Sequence, residues 1–365
     1  MESRGLNVLS LFDGMSCARI ALRELDIKVD RYYASEVNKF AIKQTQLNFP
    51  DTIQLGDVRN VSAKDLPKID LLIGGSPCQG FSFAGKQLNF NDSRSALFFE
   101  FVRILRECRE INPDLKFMLE NVRMKREYEQ VISDTLGIKP VMINSALVSA
   151  QNRVRLYWSN IRTAPDGLFE IKTDIPQPED RGLFLRDILE DDVNEKYNVS
   201  ERTLRNMLLL KNHNKESGKG FGIDIRRPLQ KACALTVGGR GVNDVVAIIQ
   251  RPRGNNKGGT FTDKSPTLSS NAWEQNNILC ISSNQAHATV SANKSTPLVA
   301  AMGMGGGHAP MIANDEIVRR ITPTEADRLQ TIPEWYKWEC SATQQYTMLG
   351  NGWTVEVIKH IFSFL

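Results

Sequence analysis

With 365 residues, 41% hydrophobic and 24% charged, the chain can bury one large core, or one large and one small, and has the composition of an ordinary soluble globular protein. Six cysteines with no Cys-x-x-Cys pair and no short Cys/His cluster argue against a zinc site or a disulfide framework and fit a reducing compartment. A formal charge of +4 is compatible with a nucleic-acid partner without demanding one, and there is neither a signal-peptide pattern at Met1 to Gly5 nor an apolar run long enough to span a bilayer.

Leu6 to Phe12 reads as a strand that stops at Asp13-Gly14, and Cys17 to Leu25 carries helical apolar spacing. Strand, glycine turn and helix is how backbone amides meet a nucleotide or cofactor. Tyr32 to Glu36 is the next strand, ending in an acid, and Asn38 to Asn48 the next helix. An acid at that point accepts hydrogen bonds from ribose hydroxyls in doubly wound folds; equally, a glutamate is favoured at a helix start by the dipole. Asp57 follows a third short strand around Ile53 to Leu55. It suits an exocyclic adenine amine or a plain turn about equally.

Ile69 to Ile73 is a buried-strand pattern, and it runs into Gly74-Gly75-Ser76-Pro77-Cys78-Gln79-Gly80-Phe81-Ser82. Loops at the carboxyl ends of parallel strands hold ligands in open α/β folds. Pro77 stiffens the turn and three glycines thin it, so Cys78 is read as a nucleophile; a thiolate attacks carbon readily and leaves again. Cys17, Cys108, Cys233, Cys280 and Cys340 are read as small buried thiols.

A helix follows from Ala96 to Ile111, its face of Leu97, Phe98, Phe101, Leu105 and Cys108 assigned to the core. Lys116 to Leu119 is strand five and ends in Glu120-Asn121-Val122, a second strand-end carboxylate near Cys78. Strands near Val141 to Leu147 and Arg155 to Ser159 complete the sheet. Alternation puts Arg153 and Arg155 on one face.

From about Arg162 to Val318 the alternation stops. Pro165, Pro176 and Pro178 mark the exit, Leu183 to Leu189 is amphipathic, and Ser200 caps a helix over Glu201 to about Lys211. Beyond Asn212 the composition turns rich in Gly, Asn, Ser and Thr. Three similar segments beginning at Lys231, Lys264 and Lys294 each precede a short apolar run (Val245 to Ile249, Ile278 to Ile281, Met311-Ile312), which suggests three β-rich units or a chance likeness of loops. Arg240, Arg251, Arg253, Asn255, Asn256 and Lys257 cluster there, where arginine and asparagine can read base edges or merely be solvated. After this comes Arg320-Ile321-Thr322-Pro323-Thr324-Glu325-Ala326-Asp327-Arg328-Leu329-Gln330. Tyr346 then stands four residues before Gly350-Asn351-Gly352-Trp353-Thr354, with Trp353 expected to open an apolar-faced helix through Val355, Ile358, Ile361 and Phe362.

Taken together, the Gly-Ser-Pro-Cys loop, Glu120-Asn121-Val122, Gln151-x-Arg153-x-Arg155 and the closing segments, in this order, resemble the DNA (cytosine-5) methyltransferases, over Leu6 to about Ile161 and Arg319 to Leu365. Two departures stand out. The opening loop is Phe12-Asp13-Gly14-Met15-Ser16-Cys17 where the family carries a second glycine, and Trp353 follows Gly-Asn-Gly where a small residue is usual. Both are similar to the animal de novo cytosine methyltransferases, whereas the length of the chain is similar to bacterial or phage enzymes.

The resemblance implies an α/β fold: the doubly wound, mostly parallel sheet of class I S-adenosylmethionine-dependent methyltransferases. Residues 1–161 and 319–365 would form this catalytic domain, and 162–318 a smaller β-rich, loop-rich target recognition domain. It implies methylation of cytosine carbon 5 in double-stranded DNA after base flipping, with Cys78 adding to carbon 6, Glu120 on the N3 and amino edge, Arg153 holding Glu120 or the base carbonyl, and Arg155 supporting it. It implies S-adenosylmethionine, leaving as S-adenosylhomocysteine, held by Phe12, Asp13, Gly14, Met15, Ser16, Cys17, Glu36, Val37, Asp57, Val58, Ser76, Pro77, Asn351, Trp353 and Thr354, with no metal. DNA contacts fall to Gln79, Ser82, Arg94 and Arg240. A cytoplasmic monomer in a bacterial or phage-infected cell is expected, without membrane contact, with a cognate restriction endonuclease acting separately. Alternatives are a tRNA cytosine methyltransferase, which shares the chemistry; a catalytically silent DNA-binding relative, which intact Cys78 and Glu120 argue against; and a nucleotide-binding oxidoreductase, which lacks its Gly-x-Gly-x-x-Gly here.

Overall fold

Seven of the apolar runs pair into one sheet in the computed structural model, which describes residues 4–76, 96–198 and 317–365 and the backbone of five short strands between 224 and 314. The strands are β1 (Leu6–Leu11), β2 (Val29–Ser35), β3 (Ile53–Gln54), β4 (Leu71–Gly74), β5 (Lys116–Val122), β6 (Val141–Asn144) and β7 (Val154–Ser159). Their order is β3-β2-β1-β4-β5-β7-β6. The first five run parallel, and β7 enters antiparallel to both β5 and β6. Strand order reverses between β1 and β4. In an open α/β sheet the crevice for a ligand lies at such a point, outside the carboxyl ends of the strands.

Alternate residues of each strand feed opposite layers, as the period of two requires. Leu71 and Ile73 of β4 join one apolar cluster, together with α1 (Cys17–Glu24) and the helix formed by Val355–Phe362. Leu72 joins the other, with Phe98, Phe101 and Leu105 of α3 (Ala96–Ile111). Each fully buried leucine or phenylalanine in these layers contributes about 2 kcal/mol of transfer free energy. Helix α2 (Lys39–Asn48) is capped by the Asn38 side chain. A further helix, α4 (Arg126–Leu136), starts at Lys125 without a side-chain cap and stops at Gly137, whose φ of 72° suits glycine.

Residues 163–190 remain against this sheet. A hairpin of β8 (Thr163–Asp166) and β9 (Glu170–Thr173) accommodates Pro165 in its own two-stranded ladder. The Thr173 amide donates to the Lys139 carbonyl at 2.9 Å. Ile175, Leu185 and Ile188 are buried in the same cluster as the last helix, although the amphipathic stretch around them holds only a 3₁₀ turn, Leu185–Asp187. Beyond, β10 (Asp224–Arg226), β13 (Cys280–Ser282), β14 (Met311–Asn314) and β15 (Ile317–Arg320) form a four-stranded antiparallel sheet, and β11 (Ile248–Gln250) pairs with β12 (Gly259–Phe261). Each of the three expected apolar runs thus contributes a strand; the expected helix over 201–211 lies outside the described residues.

The chain returns through α5 (Pro323–Leu329), α6 (Ala342–Asn351) and α7 (Val355–Phe362). Thr322 and Glu325 close a reciprocal capping box on α5, and Ser341 and Gln344 do so on α6. One boundary corrects the sequence reading. Trp353 does not open the last helix; Thr354 is its N-cap, so Trp353 precedes the helix and its indole is free to point away from the helix axis.

Candidate active site

Glu120 sits near the carboxyl end of β5, beside β4, with its side chain 11% exposed. Strand pairing places Val122 opposite Arg155, and the Arg155 Nε lies 2.9 Å from Glu120 Oε1. The other oxygen, Oε2, accepts from the Trp353 indole Nε1 at 3.2 Å. Residue 75 is the glycine beside this bond: a Cβ there would stand 3.0 Å from Glu120 Oε2 and 3.0 Å from Trp353 Nε1, so any side chain would push the pair aside. The neighbouring Asn121 amide, buried, donates to Ser76 Oγ at 3.3 Å and so ties the end of β5 to the loop leaving β4. Cys78 follows two residues later. With Pro77, Gln79, Ser82, Arg94 and Arg240 it lies outside the described residues.

Arg153 is buried just before β7. Its Nη2 donates to the carbonyls of Gly352 at 2.9 Å and Gly350 at 3.3 Å. Burial, reinforced by the charge of Arg155, lowers its pKa to about 9. This corrects the sequence reading of the two arginines: it is Arg155 that pairs with the Glu120 carboxylate, while Arg153 reaches the carbonyls of the closing segment and feels only the charge of Glu120. Gln151 and Gln330 belong to the same knot. Gln151 Nε2 donates to Gln330 Oε1 at 3.0 Å, which also accepts from Thr354 Oγ1 at 2.8 Å. The sequence contained Gln330 at the end of its Arg-Leu-Gln run, but nothing local to it announced this role.

The opening loop lies at the carboxyl end of β1. Phe12, Gly14 and Ser16 all have positive φ (59°, 58° and 63°), so every second residue is left-handed, an arrangement that costs about 1 kcal/mol or more at each non-glycine position. What holds it is a set of buried and half-buried hydrogen bonds. Asp13 Oδ1 accepts from the Tyr32 hydroxyl at 2.8 Å, Asp13 Oδ2 from Ser16 Oγ, and the Met15 carbonyl from the Tyr336 hydroxyl at 2.9 Å. Burial pushes the Asp13 carboxyl up to about 6.

Glu36, at the end of β2, accepts from the Gly14 amide at 2.8 Å through Oε2, and from the Val37 and Asn38 amides, each at 2.8 Å, through Oε1. It is therefore both a strand-end acid and a loop anchor. Val37 is exposed and Val58 buried. Asp57 caps a 3₁₀ turn and is chelated by Arg59, which holds its carboxyl down at about 2. Cys17 is buried, and desolvation pushes its thiol up to about 12; its sulfur lies against Gly352, where a Cβ would stand 3.0 Å from it. The opening loop thus meets the closing segment where Cys17 lies against Gly352, the residue before Trp353. Asn351 is exposed and Thr354 buried. Among the described residues no group of His, Cys, Asp and Glu is arranged to hold a metal ion, and no helix is long and apolar enough to cross a membrane.

A family model for C-5 cytosine-specific DNA methylases matches residues 6–365. The Type II methyltransferase M1.ScrFI of Lactococcus lactis subsp. cremoris is 29% identical over 366 residues, covering 97% of this chain and 76% of that one. The Type II methyltransferase M.BanI of Aneurinibacillus aneurinilyticus is 26% identical over 416 residues, covering 99% and 95%. Among solved structures, the Dnmt2 methyltransferase of S. pombe superposes with a TM-score of 0.57 at 17% identity, over 98% of this chain and 97% of that one. The Entamoeba histolytica methyltransferase EhMeth does so at 0.60 and 17%, over 99% and 98%. At such identities the two solved structures speak to the fold alone.

Proposed function

The chain belongs to the C-5 cytosine-specific DNA methylase family and is a DNA (cytosine-5-)-methyltransferase; from that premise we propose that it acts on a flipped cytosine in double-stranded DNA, through a covalent bond between Cys78 and carbon 6. The observation that supports this most is the Glu120 carboxylate, paired with Arg155 and tied through Asn121 to Ser76, two residues before Cys78.

Carbon 5 of cytosine is not nucleophilic unaided. The Cys78 thiolate gives its electron pair to carbon 6, and the ring electrons move toward carbon 5 and N3. Glu120, hydrogen-bonded to N3 and the amino group, supplies the proton that keeps negative charge off the ring, while Arg155 fixes the carboxyl on its other side. Carbon 5 is now the nucleophile and takes the methyl group. The carbon 5 proton then passes to water, its electron pair restores the carbon 5–carbon 6 double bond, the bond to carbon 6 breaks so that Cys78 leaves as thiolate, and N3 returns its proton to the Glu120 carboxylate. Extracting the base from the stack costs a few kcal/mol, which the closed pocket must offset.

S-adenosylmethionine, whose use the family implies, supplies an electrophilic methyl group when bound. The residues at the ends of β1, β2 and β3 suit it. The left-handed opening loop offers backbone groups, Glu36 has carboxylate lone pairs beyond those facing Gly14, Val37 and Asn38, and Asp57 stands at the next strand end. Phe12, Asp13, Met15, Ser16, Cys17, Val37, Val58, Ser76, Pro77, Asn351, Trp353 and Thr354 complete the binding set we assign. We assign residues 162–318 to target recognition, with Gln79, Ser82, Arg94 and Arg240 on DNA. We further infer a monomer whose cognate endonuclease acts separately; the relatives named above are Type II methyltransferases.

The test is Cys78→Ala, expected to abolish methyl transfer while DNA binding survives, together with a 5-fluorocytosine duplex, expected to trap the wild type covalently. Full activity of the alanine variant overturns the assignment. Transfer to tRNA but not to duplex DNA would turn the substrate reading over to the RNA enzyme.

A further inference from the structure

We propose that Trp353 is a positioning residue for the Glu120 carboxylate: its indole N–H fixes the Oε2 oxygen while Arg155 fixes Oε1. This rests on the catalytic reading of Glu120 and goes beyond the cofactor contact assigned to Trp353.

A glutamate carboxyl rotates about a broad, roughly two-fold terminal torsion, so one partner on one oxygen leaves its plane loosely defined. A second donor on the other oxygen removes that freedom. Arg155 Nε stands 2.9 Å from Oε1 and Trp353 Nε1 3.2 Å from Oε2, and the two donors approach from different segments of the chain. The donors also differ in kind. A guanidinium stabilises negative charge on Oε1, whereas the indole is neutral and orients Oε2 without adding a second cation. Oε2 is thereby the oxygen on which a proton can be held and released toward the base, with its remaining lone pair free.

Two further features support the assignment. The Gly75 slot accepts the indole edge and Oε2 together, and a methyl group there would press on both, 3.0 Å from Oε2 and from the indole nitrogen. The residue before Trp353, Gly352, lies against the Cys17 sulfur and its carbonyl accepts from Arg153 Nη2 at 2.9 Å, so the backbone entering Trp353 is held against the opening loop. Trp353 therefore joins the loop assigned to the cofactor with the carboxylate assigned to the base. Its place outside α7, with Thr354 as the cap, leaves the side chain free to do this.

The experiment is a double-mutant cycle with Trp353→Phe and Glu120→Gln, read by single-turnover methyl transfer to a duplex substrate and by calorimetric S-adenosylmethionine affinity. Phenylalanine keeps the ring and removes the N–H. Trp353→Phe is expected to slow the chemical step about tenfold, the size of one hydrogen bond to a buried charge. Cofactor affinity should stay within about twofold and the melting temperature should be unchanged. In the Glu120→Gln background the same substitution should have no further effect on rate. Equal slowing in both backgrounds, or a loss of cofactor affinity alone, overturns the proposal. If Glu120→Gln is itself fully active, the catalytic reading fails as well, so the two failures are told apart. Should Trp353→Phe not fold, Gly75→Ala perturbs the same bond from the other side. It is expected to slow the chemical step with affinity retained, and an unchanged rate there also overturns the proposal.

Discussion

The Gly14 amide donates to Glu36 Oε2 at 2.8 Å, so the acid that ends β2 holds the left-handed loop that ends β1. The other oxygen, Oε1, serves Val37 and Asn38, and the loop and the start of α2 are braced by one side chain. Glu36→Gln replaces one of the two oxygens with a donor, which can no longer accept from backbone amides. We expect S-adenosylmethionine affinity to fall roughly tenfold, the loss of one charge-assisted hydrogen bond, measured by calorimetry. Unchanged affinity would remove Glu36 from the cofactor site.

Gly14 itself gives a contrasting case. Its φ is 58° and a Cβ there would meet nothing within 4 Å. Gly14→Ala therefore suffers backbone strain and no clash, and should destabilise by about 1 kcal/mol, read from chemical denaturation. A loss several times larger would mean that the loop tolerates no adjustment at all.

Glu325 is fully buried and forms a two-pronged pair with Arg319, at 2.7 and 2.8 Å, while its oxygens also accept from the Glu190 and Thr322 amides. Glu325→Ala strands a mostly buried guanidinium and two amides. A loss of about 3 kcal/mol or more is expected in urea unfolding. A variant within 1 kcal/mol of wild type would show that water replaces the carboxylate without cost.

Asp327 accepts from Trp338 Nε1 at 2.9 Å and from Gln345 Nε2 at 3.0 Å, yet burial outweighs both and raises its pKa from 3.8 to about 7. A carboxyl whose folded pKa lies above its unfolded value favours the folded state when protonated. Its contribution is therefore present below about pH 4 and lost as pH rises through 7. Melting temperatures of wild type and Asp327→Asn, compared across this window, should diverge as the wild type loses stability. Parallel curves would place the carboxyl in contact with water.

Exchange of the middle segment with that of a relative should move the methylated site without changing the chemistry. The position of the junction matters. Ile175, Leu185 and Ile188 pack into the cluster that holds α7, so a junction at 161 tears that core while one at 198 leaves it whole. Chimeras joined at 198 and 317 are expected to be soluble and active, those joined at 161 to be far less stable. An unmoved site in an active chimera removes target recognition from this segment.

Much of the sheet was legible because strands such as β1 and β4 are short apolar runs closed by glycine or an acid, and their length and flanking residues favour strand over helix. Helix α3 was recovered at both ends for the same reason, its apolar face being unbroken. Helix α4 was missed: it begins at Lys125-Arg126 with no capping side chain, although Gly137 and the spacing of Ile132 and Leu136 were signals available for it. The first and last segments touch where Gly352 lies against Cys17 and where the Tyr336 hydroxyl donates to the Met15 carbonyl. The contact between Trp353 and Glu120 was not legible. It depends on which way one indole turns after leaving α6, and that is decided by Gly75 and Thr354, far apart in sequence.

The packing of α7 on α1 has a consequence for biosynthesis. The two helices share one core, with Ile20 and Ala21 against Val357, Ile358 and Ile361, yet nearly the whole chain separates them. At ribosomal speeds of about 5–20 residues per second, α1 waits on the order of 15–70 s with its apolar face uncovered before its partner is even made. A nascent chain therefore presents a sticky surface to chaperones, and it has no finished opening loop while Trp353 is still to be added. Methylating capacity would then arrive in one step, late in synthesis, rather than growing with the chain.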